Sequence, residues 1–190
     1  NDLVNGPQGA NASGANAIAI GTHANAAGDN SFAGGNGAVA SSVGGVAIGN
    51  GAMANDSSNA MSMGTTTAVG NLAMATDEDA AAFGDKAAAT GFHSTAVGGE
   101  SVASGRGAQS FGWQSRATGN LSLAAGHQAN AAGVQATALG KNTNASAMNA
   151  TAVGFGATSA FAGATAIGTG ATTTRANQVV LGGTGSSVTV

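Results

Sequence analysis

Apolar residues come in short runs closed by glycine: Ile18-Ala19-Ile20 before Gly21, Thr67-Ala68-Val69 before Gly70, Thr137-Ala138-Leu139 before Gly140, Thr165-Ala166-Ile167 before Gly168. Gly70, Gly84, Gly98, Gly112, Gly126, Gly140, Gly154, Gly168 and Gly182 follow one another at 14-residue steps, and Gly21, Gly35 and Gly49 keep the same step before them. A fixed period implies stacked copies of one small unit. A second glycine, seven residues on, recurs at Gly28, Gly91, Gly105, Gly119 and Gly133. Each unit therefore reads as two strands of about five residues joined by tight turns, with no room for a helix. Strands pairing in parallel with their equivalents one turn later, at ~4.8 Å, stack twelve or so turns into a flat two-sheet roll about 55–60 Å tall.

Two columns flank the glycines. Alanine stands two residues before them (Ala19, Ala33, Ala47, Ala68, Ala82, Ala96, Ala124, Ala138, Ala152, Ala166). A large residue stands directly before them at Ile20, Ile48, Val69, Phe83, Val97, Phe111, Leu139, Val153, Ile167 and Leu181. Successive strand residues face opposite sides, so both faces of this strand are apolar: one fills the roll and the other meets a partner. The preferred reading packs the large column inward onto small residues of the opposite strand, such as Ala87, Ala89, Ala129 and Ala131, and turns the alanines towards a symmetry axis. The reverse assignment stands beside it.

The period breaks once. Gly49 and Gly70 are 21 residues apart, with an out-of-phase Met61-Ser62-Met63-Gly64 between them. Residues 55–66 are read as a projecting loop. Residues 1–9 form an irregular lead, residues 1–174 the roll, and residues 175–190, with Arg175 and Val179-Val180-Leu181-Gly182, a last strand and the start of a different element.

Composition narrows the class. There are 33 Gly, 7% charged residues and 4% aromatic ones, with no Tyr. Such a composition also fits a flexible low-complexity segment, but disorder has no reason to hold a strict register. Collagen requires glycine at every third position and many prolines; Pro7 is the single proline. Few large side chains per turn point to oligomerisation as a source of stability. The net charge of −3 leaves no electrostatic footprint for nucleic acid. The absence of cysteine excludes a disulfide framework without fixing a compartment. No signal peptide and no bilayer-spanning apolar run is present. Asn1 in place of Met marks the chain as a piece of a longer one.

The repeats NAIAIGTHA (16–24), GVAIGNGA (45–52), HSTAVGGES (93–101) and NATAVGFGA (149–157) resemble the head repeat of the trimeric autotransporter adhesins, the YadA-like head. The resemblance covers about residues 10–182, and RANQVVLGG resembles the start of the neck that joins such heads to a stalk. It implies an all-β, left-handed parallel β-roll (a solenoid of 14-residue repeats) assembled as a homotrimer. It further implies a Gram-negative cell-surface protein, held in the outer membrane by a C-terminal anchor absent here. Its partners would be host extracellular matrix proteins, cell-surface receptors or other heads. Several copies lack the family's leading Asn-Ser, and Thr67, Thr95, Thr137, Thr151 and Thr165 replace its first apolar residue; these departures bear on ligand choice rather than on fold.

Candidate chemistry is sparse. His23, His93 and His127 fall in different columns and no cysteine joins them, so no metal cluster of recognised spacing is expected. Asp77-Glu78-Asp79 lacks the glycine-aspartate repeats of calcium-binding rolls and reads as a solvated turn. No cofactor and no catalytic set is expected. Lys86 with Glu100, and Asp79 with His93, share columns on adjacent turns and read as ladder pairs. The residue just after the glycine is Trp113, His127, Lys141 and Phe155 on four successive turns. This is the candidate ligand ridge, since aromatics favour binding hot spots; packing against a neighbouring protomer is the other reading.

Two functions follow: an adhesin head binding host matrix or cells, or a structural spacer and self-association module with no host ligand of its own. An ice-binding roll would need regular Thr ladders, but the Thr column here also holds Ile18, Phe32, Gln109 and Leu123.

Overall fold

The structure, a computed structural model, describes residues 9–56 and 65–187. All regular structure among them is β-strand, arranged as two parallel sheets that coil round a common interior. Twelve strands, from Ile18–Ile20 to Val179–Leu181, form one sheet; eleven, from Asn11–Ala12 to Thr158–Ser159, form the other. Each strand pairs with its equivalent one turn later, as in Ala81↔Thr95, Ala82↔Ala96 and Phe83↔Val97. The fold is thus a parallel β-solenoid of about twelve turns. Its strands are shorter than the five residues expected, three in one sheet and two in the other, because the turns consume the rest of each half unit.

The turns are built from two special backbone positions. Gly98 has φ +125°, and a Cβ there would lie 2.6 Å from the carbonyl oxygen of Gly112 on the next turn. Only glycine stacks at that spacing. Two residues later comes a left-handed residue, and it need not be glycine: Lys86, Glu100, Gln114 and Gln128 have φ of 53°, 56°, 55° and 56°. The strain, on the order of 1 kcal/mol per residue, is offset by an inter-turn hydrogen bond at each. Lys86 N–H donates to Asn71 O at 2.8 Å and Glu100 N–H to Asp85 O at 2.7 Å.

The interior overturns the preferred direction of the two columns. Ala19, Ala47, Ala68, Ala82, Ala96, Ala124, Ala138, Ala152 and Ala166 point inward with no exposed surface, facing Ala87, Ala89, Ala129 and Ala131 of the other sheet. The large column points outward: Ile20, Phe83 and Ile167 are 41%, 40% and 42% exposed. The reason is space. Seven-residue half turns hold the sheets so close that, among the described residues, no fully buried side chain is larger than threonine (Thr66 and Thr143). Phe or Ile would force the sheets apart and break the glycine stacking.

The two outer faces then differ. The eleven-stranded sheet shows solvent a mixed row, including Asn25, Arg116, Asn130 and Asn144. The twelve-stranded sheet shows a largely apolar one, with Ile18, Ile20, Ile48, Val97, Phe111 and Leu181 exposed beside a column that also holds Thr67, Thr95, Gln109 and Thr137.

The break in period leaves the ladder in phase. Val46 pairs with Thr67 and Met53 with Met74, so the pairing offset widens there to 21 residues and no side chain changes face. Of the proposed loop 55–66, both flanks stay in the roll: Asn55 N–H donates to Ala75 O at 2.9 Å, and Thr66, buried, accepts from Val46 N–H at 2.9 Å. The Met61-Ser62-Met63-Gly64 stretch lies outside the described residues. At the far end Val179–Leu181 continues the twelve-stranded sheet in register with Thr165–Ile167, and Val180, half-buried, takes the alanine position.

Substitutions on the two faces separate the column assignments. Ala96→Leu, inside, is expected to cost about 1–3 kcal/mol through overpacking. Val102→Leu, on the outer face of the eleven-stranded sheet, should stay within about 0.5 kcal/mol. Urea denaturation of the two variants measures this, and the opposite ranking would restore the large-column-inward reading.

Candidate functional site

The parallel register brings the four ridge residues to successive rungs of one turn edge. Trp113 and His127 stack with ring centroids 4.7 Å apart and planes 5° apart. Trp113 and Phe155 are 53% and 54% exposed, and Lys141 is exposed between His127 and Phe155. His127 is half-buried, and its Nε2 has no hydrogen-bond partner among the described residues.

The ridge begins where an amide ladder stops. In the same column Asn50 Nδ2 donates to Asn71 Oδ1 at 3.0 Å, and Asn71 Nδ2 to Asp85 Oδ1 at 2.7 Å. The next rung is Gly99, which has no side chain, and Trp113 Cδ1 lies 3.5 Å from where its Cβ would be. Beside the ridge runs a polar column set by the left-handed residues. Gln114 Nε2 donates to Glu100 Oε2 and Gln128 Nε2 to Gln114 Oε1, both at 2.8 Å. With Arg116 these three line a shallow open groove. One edge thus combines rigid aromatic surface with adaptable amide, carboxylate and guanidinium groups, a composition suited to gripping another protein. It holds no arrangement that points to bond-breaking chemistry.

The predicted ladder pairs divide. Asp79 and His93 come together, with Oδ2 and Nε2 3.8 Å apart. Lys86 and Glu100 stand on adjacent rungs as the register requires, but Glu100 gives its carboxylate to Gln114 instead. His23 and His127 lie on the ridge edge and His93 on the opposite one, so the histidines do not gather.

Residues 12–38, 62–87, 89–115, 117–143, 131–157 and 145–171, well over half of the chain, match the model of the YadA head domain repeat. The chain belongs to this family. Its fold is similar to the crystal structure of the collagen-binding domain of the Yersinia adhesin YadA, with a TM-score of 0.50 and 22% identity over 91% of this chain and 73% of that one. No curated protein sequence matches it. As a YadA-like head, the chain displays its distinctive residues on turn edges, where substitution does not disturb the alanine interior. The side-chain stack in this head was not legible beforehand, although the shared column was, because ring orientation depends on the bare Gly99 below Trp113.

An exposed stack contributes little to folding. Trp113→Ala is expected to cost about 1 kcal/mol and to lower the Tm by roughly 2–4 °C, measured by thermal denaturation, with an unchanged oligomeric mass.

Proposed function

We propose that this chain is the head of a trimeric autotransporter adhesin displayed on the bacterial outer surface, binding host extracellular matrix proteins or cell-surface receptors. Membership of the YadA head family supports the adhesin reading. The outward apolar face of the twelve-stranded sheet is the observation that carries the trimer. It runs the length of the roll with Ile18, Ile20, Ile48, Phe83, Val97, Phe111 and Ile167 exposed in a single chain. A row of large exposed apolar residues of that length marks an interface. Three chains meeting through this face bury the large column at the common axis and leave the turn edges and the mixed sheet outside. The parent protein would reach the membrane through a segment C-terminal to this chain; among the described residues no helix is long and apolar enough to cross one.

On this assembly the Trp113–His127–Lys141–Phe155 ridge appears three times, so weak contacts to a repetitive ligand such as a matrix fibre gain from avidity. Its exposed Trp and Phe are the residue types that anchor interfaces. Because the similar Yersinia domain is described as collagen-binding, collagen is the first matrix protein to test.

Solid-phase binding of the purified assembly to collagen and to other matrix proteins tests the reading. Saturable binding is expected, weakened at least tenfold by Trp113→Ala. A head that binds no matrix protein or cell, yet still causes cells displaying it to clump, would be the spacer and self-association module instead.

A further inference from the structure

Opposite the ridge, Glu78, Asp79 and His93 each bring one potential ligand atom to within 4.8 Å of the others. Asp79 and His93 occupy equivalent left-handed positions, φ 52° and 53°, one turn apart. His93 N–H donates to Glu78 O at 2.8 Å, which holds the two rungs together. Two of the three ligand-bearing side chains, those of Asp79 and His93, are oriented from outside the cluster. Thr65 N–H occupies Asp79 Oδ1 at 3.1 Å, which leaves Oδ2 towards His93. The His93 ring stacks on Phe92 at 3.9 Å, and the Arg106 guanidinium lies 4.6 Å from the Phe92 centroid.

The spacing at this step differs from that of the hydrogen-bonded ladders. Several other same-column polar steps close by direct hydrogen bonds at 2.7–3.2 Å, as in Asn16–Asn30, Asn71–Asp85 and Glu100–Gln114, although Lys86–Glu100 does not. Asp79 Oδ2 and His93 Nε2 remain 3.8 Å apart. That is too long for a hydrogen bond but short enough for two donors, each about 2.1 Å from one ion, to share it.

We propose that Glu78, Asp79 and His93 form a site for a divalent transition-metal ion of the zinc type. One imidazole nitrogen with two carboxylate oxygens suits such an ion, whereas calcium and magnesium select all-oxygen sets. The ion would join two successive turns. It would do so beside the break in the period, since Thr65, the flank of the inserted residues, is tied to Asp79. The site therefore acts as a clip on two turns of ordinary offset, next to the step at which the ladder carries its seven extra residues.

Calorimetric titration of the untagged, chelator-treated assembly with zinc chloride tests the site, paired with imidazole NMR. One ion per chain is expected, with His93 resonances shifting while those of His23 and His127 stay in place. His93→Gln and Asp79→Asn should each weaken binding at least tenfold, and His23→Gln should not. Gln and Asn already occupy left-handed positions in this roll, at Gln114 and Asn142, so these variants keep the turn. No saturable zinc binding, binding retained in His93→Gln, or calcium bound as tightly as zinc would overturn the assignment.

Discussion

The narrow interior governs this molecule. Two half turns of seven residues, each bent by one left-handed residue, bring the sheets close enough that a methyl or hydroxymethyl group fills the gap. Up to the last rung, where Val180 takes the inward place, the described rungs therefore supply Ala, Ser or Thr inwards, and larger apolar residues point outwards. The hydrophobic contribution per rung is small, since alanine buries little area. Regularity compensates: each turn repeats the same inter-strand hydrogen bonds, and the positive-φ glycines stack directly on the backbone of the next turn without a side chain between. Several buried hydroxyls follow the same economy, closing onto one another or onto turn carbonyls, as in Ser110 with Ser115 at 2.7 Å and Thr143 with Gly140 O at 2.9 Å, while those of Ser31, Ser122 and Thr173 have no partner among the described residues.

Assembly follows from the same geometry. A roll that excludes large residues from its own interior must place them elsewhere, and here the column before the stacked glycines sets them on the outer face of the twelve-stranded sheet, with fewer, such as Met53, Met74 and Val102, on the other. In the proposed assembly, the large residues that would form the core of an ordinary domain serve instead as the seam between chains. The turn edges, where inter-turn hydrogen bonds hold the backbone, are where side chains vary without disturbing the interior. Two edges carry two different chemistries, an aromatic ridge with a polar groove on one and a carboxylate–imidazole cluster on the other.

Much of this was legible in the sequence. The period identifies the rungs, and the 21-residue gap between Gly49 and Gly70 locates the insertion without disturbing the register on either side. The direction of the columns was not legible: alternation places Ala82 and Phe83 on opposite faces but does not say which is inside when both are apolar. The deciding quantity, the distance between sheets, comes from backbone angles that residue types only partly specify, as the left-handed Lys86 and Glu100 show. Columns predicted neighbours better than contacts. Asp79 met His93, while Glu100 turned from Lys86 to Gln114. The gathering of Glu78 with Asp79 and His93 was missed because the acidic run was read along the chain, whereas the cluster forms between turns.

The central claim is that an alanine interior displaces the large residues onto a face that three chains share. Light scattering of the purified chain tests it most directly. The account predicts a mass three times the 17.6 kDa of one chain, stable on dilution; a species of 17.6 kDa that remains folded, with the outer face of its twelve-stranded sheet open to solvent, would contradict it.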